Sequence, residues 1–181
     1  MSKRGSLISK AMRSELAKTL ALLGVTVLGI LIFREALTIA LDTAYVFHTP
    51  ISPSMEPTLN VGDLIIVQGV KGIDDVRANP YNGDIIVFRK PHSRNEFIVH
   101  RAVGKVRMPN GEIYIITKGD NNFREDPWRV TQDMIIGKVI WRIPLLGYIK
   151  IFLSTSVGMS LLIILLLALF IFENLPQKKS S

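Results

Sequence analysis

Ile51-Ser52-Pro53-Ser54-Met55-Glu56-Pro57-Thr58-Leu59 stands between a long apolar run and a series of short strand-like segments. With Pro50, three prolines fall inside eight residues, and each biases the residue before it toward extended geometry. Two hydroxyls, Ser52 and Ser54, are therefore expected on a stiff, non-helical loop. A rigid serine loop where a membrane anchor meets a β-domain suggests an active site held close to a bilayer. A proline-rich linker with incidental serines is the simpler alternative.

Upstream, Leu16–Phe33 is apolar apart from Lys18 and Thr19, which at about 1.5 Å per residue is close to the thickness of a hydrocarbon core. Ala36–Leu41 extends the same helix. A cleaved signal peptide shares this outline of basic start and apolar centre, but no small-x-small site follows directly, so an uncleaved anchor is expected. Downstream, Ile151–Phe172 is an uncharged run that reads as a second span.

The charge of +7 in 181 residues could suggest nucleic acid, but its placement argues otherwise. Lys3, Arg4, Lys10, Arg13 and Lys18 face Glu15 alone in residues 1–18, and the tail carries Lys178-Lys179. Residues 42–150 hold 14 basic against 12 acidic side chains, so the middle is nearly balanced. Basic ends flanking apolar spans are the pattern of cytoplasmic segments. Lys150, on the outer flank, runs weakly against it. Cysteine is absent, which excludes disulfides, thiol nucleophiles and cysteine–metal sites.

The expected organisation is a basic cytoplasmic N-terminus (1–15), a transmembrane helix with its extension (16–41), an extracytoplasmic β-domain (42–150), a second transmembrane helix (151–173) and a cytoplasmic tail (174–181). Within 42–150, Leu64–Val67 and Ile85–Phe88 each follow a Gly-Asp pair, and Glu96–Val106 alternates loosely. Asn110-Gly111 suits a type I′ hairpin turn into Glu112–Thr117, and Met134–Ile143 is the last strand. Lys71–Asn82 reads as a polar surface loop. The fold class is mainly β: a small extracytoplasmic all-β domain with an N-terminal and a C-terminal transmembrane helix, expected to be the catalytic domain if the serine loop is an active site.

A serine hydroxyl needs a base. His48 and His92 read as surface or packing residues, whereas His100 lies inside an apolar strand where an imidazole needs a partner. Asp120 and Asp126 are the carboxylates able to orient it. Their surroundings are equally those of an Asn- and Asp-rich turn. Spacing does not separate the two.

Ser52-Pro53-Ser54-Met55-Glu56-Pro57 with Gly62-Asp63, then Gly83-Asp84-Ile85-Ile86-Val87-Phe88, His100-Arg101, and Lys118-Gly119-Asp120-Asn121-Asn122 with Asp126 resemble type I signal peptidases over roughly residues 45–145. His100 in place of a lysine resembles the branch found in archaea and the endoplasmic reticulum. Pro53 departs from the glycine common there but keeps both hydroxyls. The resemblance implies Ser54 as nucleophile, His100 as general base and Asp126 as acid, with Asp120 and Ser52 in support. It also implies a serine endopeptidase that needs no cofactor or metal and cuts signal peptides from pre-proteins at a membrane. The Ser54 backbone N–H and Ser52 hydroxyl would form the oxyanion hole, while Lys90 and Lys105 read as solvated.

The implied partners are pre-proteins, the lipid bilayer and the protein-translocation machinery, with no nucleic acid. The implied membrane is the cell membrane of an archaeon or the endoplasmic reticulum of a eukaryote. An extended substrate would add to a sheet edge formed by the residues flanking Ser54 and the strand of His100. Phe47, Ile51, Met55 and Leu59 either rim the loop and dip into the interface or form domain core. A tethered, non-catalytic β-domain that binds secreted partners is the reading from another class.

Overall fold

A computed structural model of the chain describes residues 3–93 and 96–174; the tail expected over 174–181 lies outside them beyond Asn174. The chain divides into two units, a helical one (1–36 and 156–181) and a central one (37–155).

In the helical unit, α1 (Lys3–Ala40) carries the apolar stretch Glu15–Ala40, long enough to cross a membrane, and its last residues run into the central unit. The C-terminal apolar run is not one helix: α2 (Gly147–Leu153) takes its first three residues, α3 (Ser156–Asn174) begins at Ser156, and Ser154 and Thr155 lie between them. The break falls where hydroxyls bond back to the preceding turn, Ser154 Oγ to Lys150 O at 2.8 Å and Thr155 Oγ1 to Phe152 O at 2.7 Å. Such bonds offer the backbone an alternative to helix. Alone, α3 is shorter than the predicted span.

The central unit is one antiparallel sheet of six strands in the order β1-β2-β6-β3-β4-β5. These are β1 (Phe47–His48), β2 (Leu64–Gln68), β3 (Ile85–Arg89), β4 (Phe97–Arg107), β5 (Ile113–Lys118) and β6 (Ile135–Ile143). Five match the expected strands to within two residues; β1 is too short to leave a periodic signal. Successive strand residues face opposite sides, and both sides are covered. Ile86 and Phe88 of β3 join a core with Ala102, Ile115 and Val130, while Val87 joins Ile65, Val67, Met55 and Leu59 on the other face. Burial on both faces explains why β3 reads as an unbroken apolar run.

Two local expectations change. The β4–β5 connection is a Met108–Gly111 turn closed by Gly111 N–H to Met108 O at 2.9 Å, and Gly111 alone takes positive φ (+87°). Pro109 fixes φ near the value the second position of a type I turn needs, so the turn starts one residue early and is not type I′. The polar segment Lys71–Asn82 is not wholly surface, because Val76 and Ile73 pack into the first core.

Candidate active site

Ser54 sits on a single 3-10 turn, Pro53–Met55, rather than on extended chain; Ser52, preceding Pro53, is the extended residue (φ −127°, ψ 154°). Proline at the first turn position needs no donor, which suits it to start such a turn. Met55 and Leu59 are buried to 1 % and 3 % exposure, so they are core, whereas Phe47 and Ile51 are exposed. Burying Met55 stabilises the unit by about 1.5–3 kcal/mol and anchors the residue next to Ser54. The Glu56–Pro57 bond is cis.

His100 pairs with Ile86 across β3 and β4, which turns its ring onto the Ile86–Phe88 face. Ala102 pairs with Thr117, so Thr117 lies on that same face. After β5 the chain doubles back along it: Asp126 N–H donates to Thr117 O at 2.8 Å, and Val130 bridges Ile115. Asp126 is thereby brought to the ring of His100.

Three groups fall in line. Ser54 Oγ lies 3.1 Å from His100 Nε2, and His100 Nδ1 lies 2.7 Å from Asp126 Oδ2. Thr117 donates its hydroxyl to the same carboxylate oxygen at 2.6 Å. His100 and Asp126 are both buried, at 7 % exposure. Both spacings are within proton-transfer reach. Ser52 Oγ stands 3.2 Å from Ser54 Oγ.

Asp120 is placed otherwise. Arg101 Nε and a terminal guanidinium nitrogen donate to its two oxygens at 2.8 and 2.6 Å, and a third Arg101 nitrogen donates to Gly83 O at 2.7 Å. Burial alone would raise the Asp120 carboxyl, but hydrogen bonds from Arg101 and Thr58 hold it below the ordinary range. The same loop clamps the serine turn: Asn121 N–H donates to Ser54 O at 2.9 Å and Asn121 Nδ2 to Pro53 O at 3.1 Å. Gly119 makes this approach possible, since a Cβ there would lie 2.6 Å from Ser54 O.

A cleft of about 690 Å³ opens at Ser54 and runs between two chain segments, 48–52 and 97–100. Beside that second segment the sheet is open: β5 pairs with β4 only from Arg101 onward. His48 lines the far part of the cleft and packs against Tyr45 and Phe97, so it is a packing residue. His92 is exposed, Lys90 pairs with Glu96, and Lys105 donates to Asp74 O. Thr117 escaped the sequence reading. The signal for it was present: it continues the inward register of Ile115, and a hydroxyl on a buried face needs a partner.

Residues 19–138 match the model of the family described as signal peptidase, peptidase S26. The chain belongs to that family. Signal peptidase complex catalytic subunit SEC11 of Eremothecium gossypii is 30 % identical over 156 residues, 80 % of this chain and 86 % of that protein. The SEC11 of Tuber melanosporum is 31 % identical over 130 residues, 66 % of this chain and 69 % of the relative. Human SEC11C is 33 % identical over 112 residues, 58 % and 55 % of the two chains. The expected branch, with histidine at position 100, is therefore the right one. The protein is a signal peptidase, a hydrolase acting on signal peptides, and the non-catalytic binding module is not favoured.

Proposed function

We propose that this signal peptidase cuts the peptide bond with Ser54 as nucleophile, His100 as base and Asp126 as the group that orients it. The observation that carries this is the Ser54–His100–Asp126 chain of contacts at 3.1 and 2.7 Å. Asp126 accepts from Nδ1–H, which leaves Nε2 free to take the hydroxyl proton. Ser54 Oγ then bonds to the scissile carbonyl carbon. The resulting oxyanion is met by the Ser54 backbone N–H and the Ser52 hydroxyl, donors of a kind worth about 3 kcal/mol each. Collapse breaks the C–N bond, and His100 gives its proton to the leaving amine of the mature chain. Water, deprotonated by His100, next attacks the acyl-Ser54 ester and releases the signal peptide.

The substrate enters as an extended strand between 48–52 and the open edge at 97–100. Asp84 O accepts from Ala102 N–H and Glu96 O from Lys90 N–H, so alternate residues of β4 turn their backbone groups to β3. Phe97 and Val99 therefore turn theirs to the open side, where a peptide would pair.

In this reading α1 and the α2–α3 run anchor the chain, both ends are cytoplasmic, and the central unit is extracytoplasmic or lumenal. Membrane tethering holds the site where the cleavage point of a membrane-bound substrate emerges. Assembly with further subunits or with the translocation machinery is compatible with this arrangement.

The test is cleavage of a labelled pre-protein by the reconstituted full chain, with the new N-terminus read by mass spectrometry. The wild type should cut after a small residue and Ser54→Ala should leave the pre-protein intact; equal turnover would remove Ser54 from the mechanism. Protease added outside sealed vesicles should digest residues 45–145, and their protection would reverse the orientation.

A further inference from the structure

The end of β6 and the helix that follows carry a run of exposed apolar side chains. Trp141 and Leu145 are each 66 % exposed, Ile149 57 % and Phe152 48 %. The sequence of α2, Gly-Tyr-Ile-Lys-Ile-Phe-Leu, has Lys150 as its one charged side chain. A short helix packed on a water-exposed domain normally turns a polar face outward; this one turns aliphatic and aromatic side chains. Only Ser154 and Thr155 separate α2 from the first residue of α3, so the chain cannot carry it more than about 10 Å from that point.

α2 is also built into the site. Lys150 Nζ donates to Phe47 O at 3.0 Å, and in the turn just before the helix Leu145 N–H reaches Asp63 Oδ1 at 3.4 Å. Gly147 packs so closely that a Cβ would lie 2.5 Å from both Asp63 O and Thr49 Cγ2. Gly62, at φ +83°, leaves no room for a side chain beneath the Tyr148 ring. Phe47 and Thr49 begin the segment that bears Ser54, and Gly62 and Asp63 end it. One short helix thus grips both ends of the nucleophile's loop.

We infer that α2 is an in-plane interfacial helix that lies at the boundary between lipid headgroups and acyl chains and sets the height of Ser54 above the bilayer. The inference rests on the proposed membrane span at α3. Lipid is the occupant because aromatic and aliphatic side chains mixed with a lysine match the chemistry of that boundary. Direct continuity with an uncharged 17-residue run, Ser156–Phe172, delivers the helix there. A hydrophobic partner protein would need no such continuity.

The absence of cysteine permits single-label depth measurements on the full chain. Nitroxides are attached at Leu146→Cys, Ile149→Cys and Phe152→Cys, with Leu165→Cys and Tyr81→Cys as references, in nanodiscs of phosphatidylcholine and phosphatidylglycerol. Accessibility to oxygen and to a water-soluble nickel chelate gives depth. The label at 146, which caps α2, and those at 149 and 152 within it should share one shallow depth, with Leu165→Cys deep and Tyr81→Cys in water. With Leu165→Cys deep, α2 labels as water-accessible as Tyr81→Cys would overturn the inference and leave the span standing. So would a steady deepening from 146 to 152 of about 9 Å, the rise of six helical residues continuing the span. Water-like accessibility at Leu165→Cys would defeat the span and the inference together.

Discussion

Arg101 grips both carboxylate oxygens of Asp120, at 2.8 and 2.6 Å, while Asp126 lies against His100 Nδ1 at 2.7 Å. Two carboxylates six residues apart thus occupy different environments. One is a bidentate ion-pair partner that braces the serine turn through its loop, and the other is in hydrogen-bond contact with the imidazole.

These environments separate the effects of removing each carboxylate. Asp126→Asn should lower kcat by about 10³–10⁴-fold while the unit stays folded, because the tautomer of His100 is no longer enforced. Asp120→Ala should cost about 1–3 kcal/mol of stability by leaving the largely buried Arg101 guanidinium with Gly83 O but without its carboxylate, with a smaller loss of rate in the protein that remains folded. Paired melts and initial rates on the two variants check this. A silent Asp126→Asn beside an inactive but folded Asp120→Ala would exchange their roles.

Gly119 touches the mechanism without any functional group. Its missing Cβ leaves room for Ser54 O and for Asn122 Nδ2, which would stand 2.6 and 2.8 Å from it. Gly119→Ala must displace the serine turn by a fraction of an ångström or more. A misplacement near 1 Å costs on the order of 10²-fold in rate. The expected result is a large fall in kcat with a small change in melting temperature; a wild-type rate would show that the turn tolerates the shift.

His48 predicts an acid limit of its own. Burial, helped by Lys150, pushes its pKa down from 6.5 to about 4. Between those values the unfolded chain takes up a proton that the folded chain refuses, so this contribution to stability is intact above pH 6.5 and lost as pH falls toward 4. The hydrogen-bonded Asp120, whose carboxyl is held below its ordinary value, adds its loss at lower pH. Denaturant melts of the full chain in detergent at pH 7, 5 and 4 should show the decline, and His48→Phe should flatten its upper part. An unchanged slope in that variant would assign the decline elsewhere.

Much of this was legible in the chain. The repeated Gly-Asp entries marked β2 and β3, and His100 stood out as an imidazole on an apolar strand. Ser54, His100 and Asp126 could be ordered along the chain by resemblance, but only the doubling-back of residues 119–130 along β5 brings Asp126 rather than Asp120 to the ring. That fold-back depends on long-range pairing, which local spacing does not encode. Thr117 was legible as a hydroxyl two residues beyond Ile115 on the buried face of β5, but its partner Asp126 arrives only through the same fold-back. Pro109 outweighed Asn110-Gly111 in choosing the turn, and two hydroxyl-bearing residues, Ser154 and Thr155, divided an apolar run that hydropathy alone joins.

The sharpest test of the mechanism is a double-mutant cycle on single-turnover cleavage of a pre-protein, using Ser54→Ala, His100→Ala and both together. Residues that move one proton between them act as a unit, so each single variant should lose nearly as much rate as the double. Losses that multiply, with the double variant slower than either single by the product of their effects, would mean that Ser54 and His100 act independently.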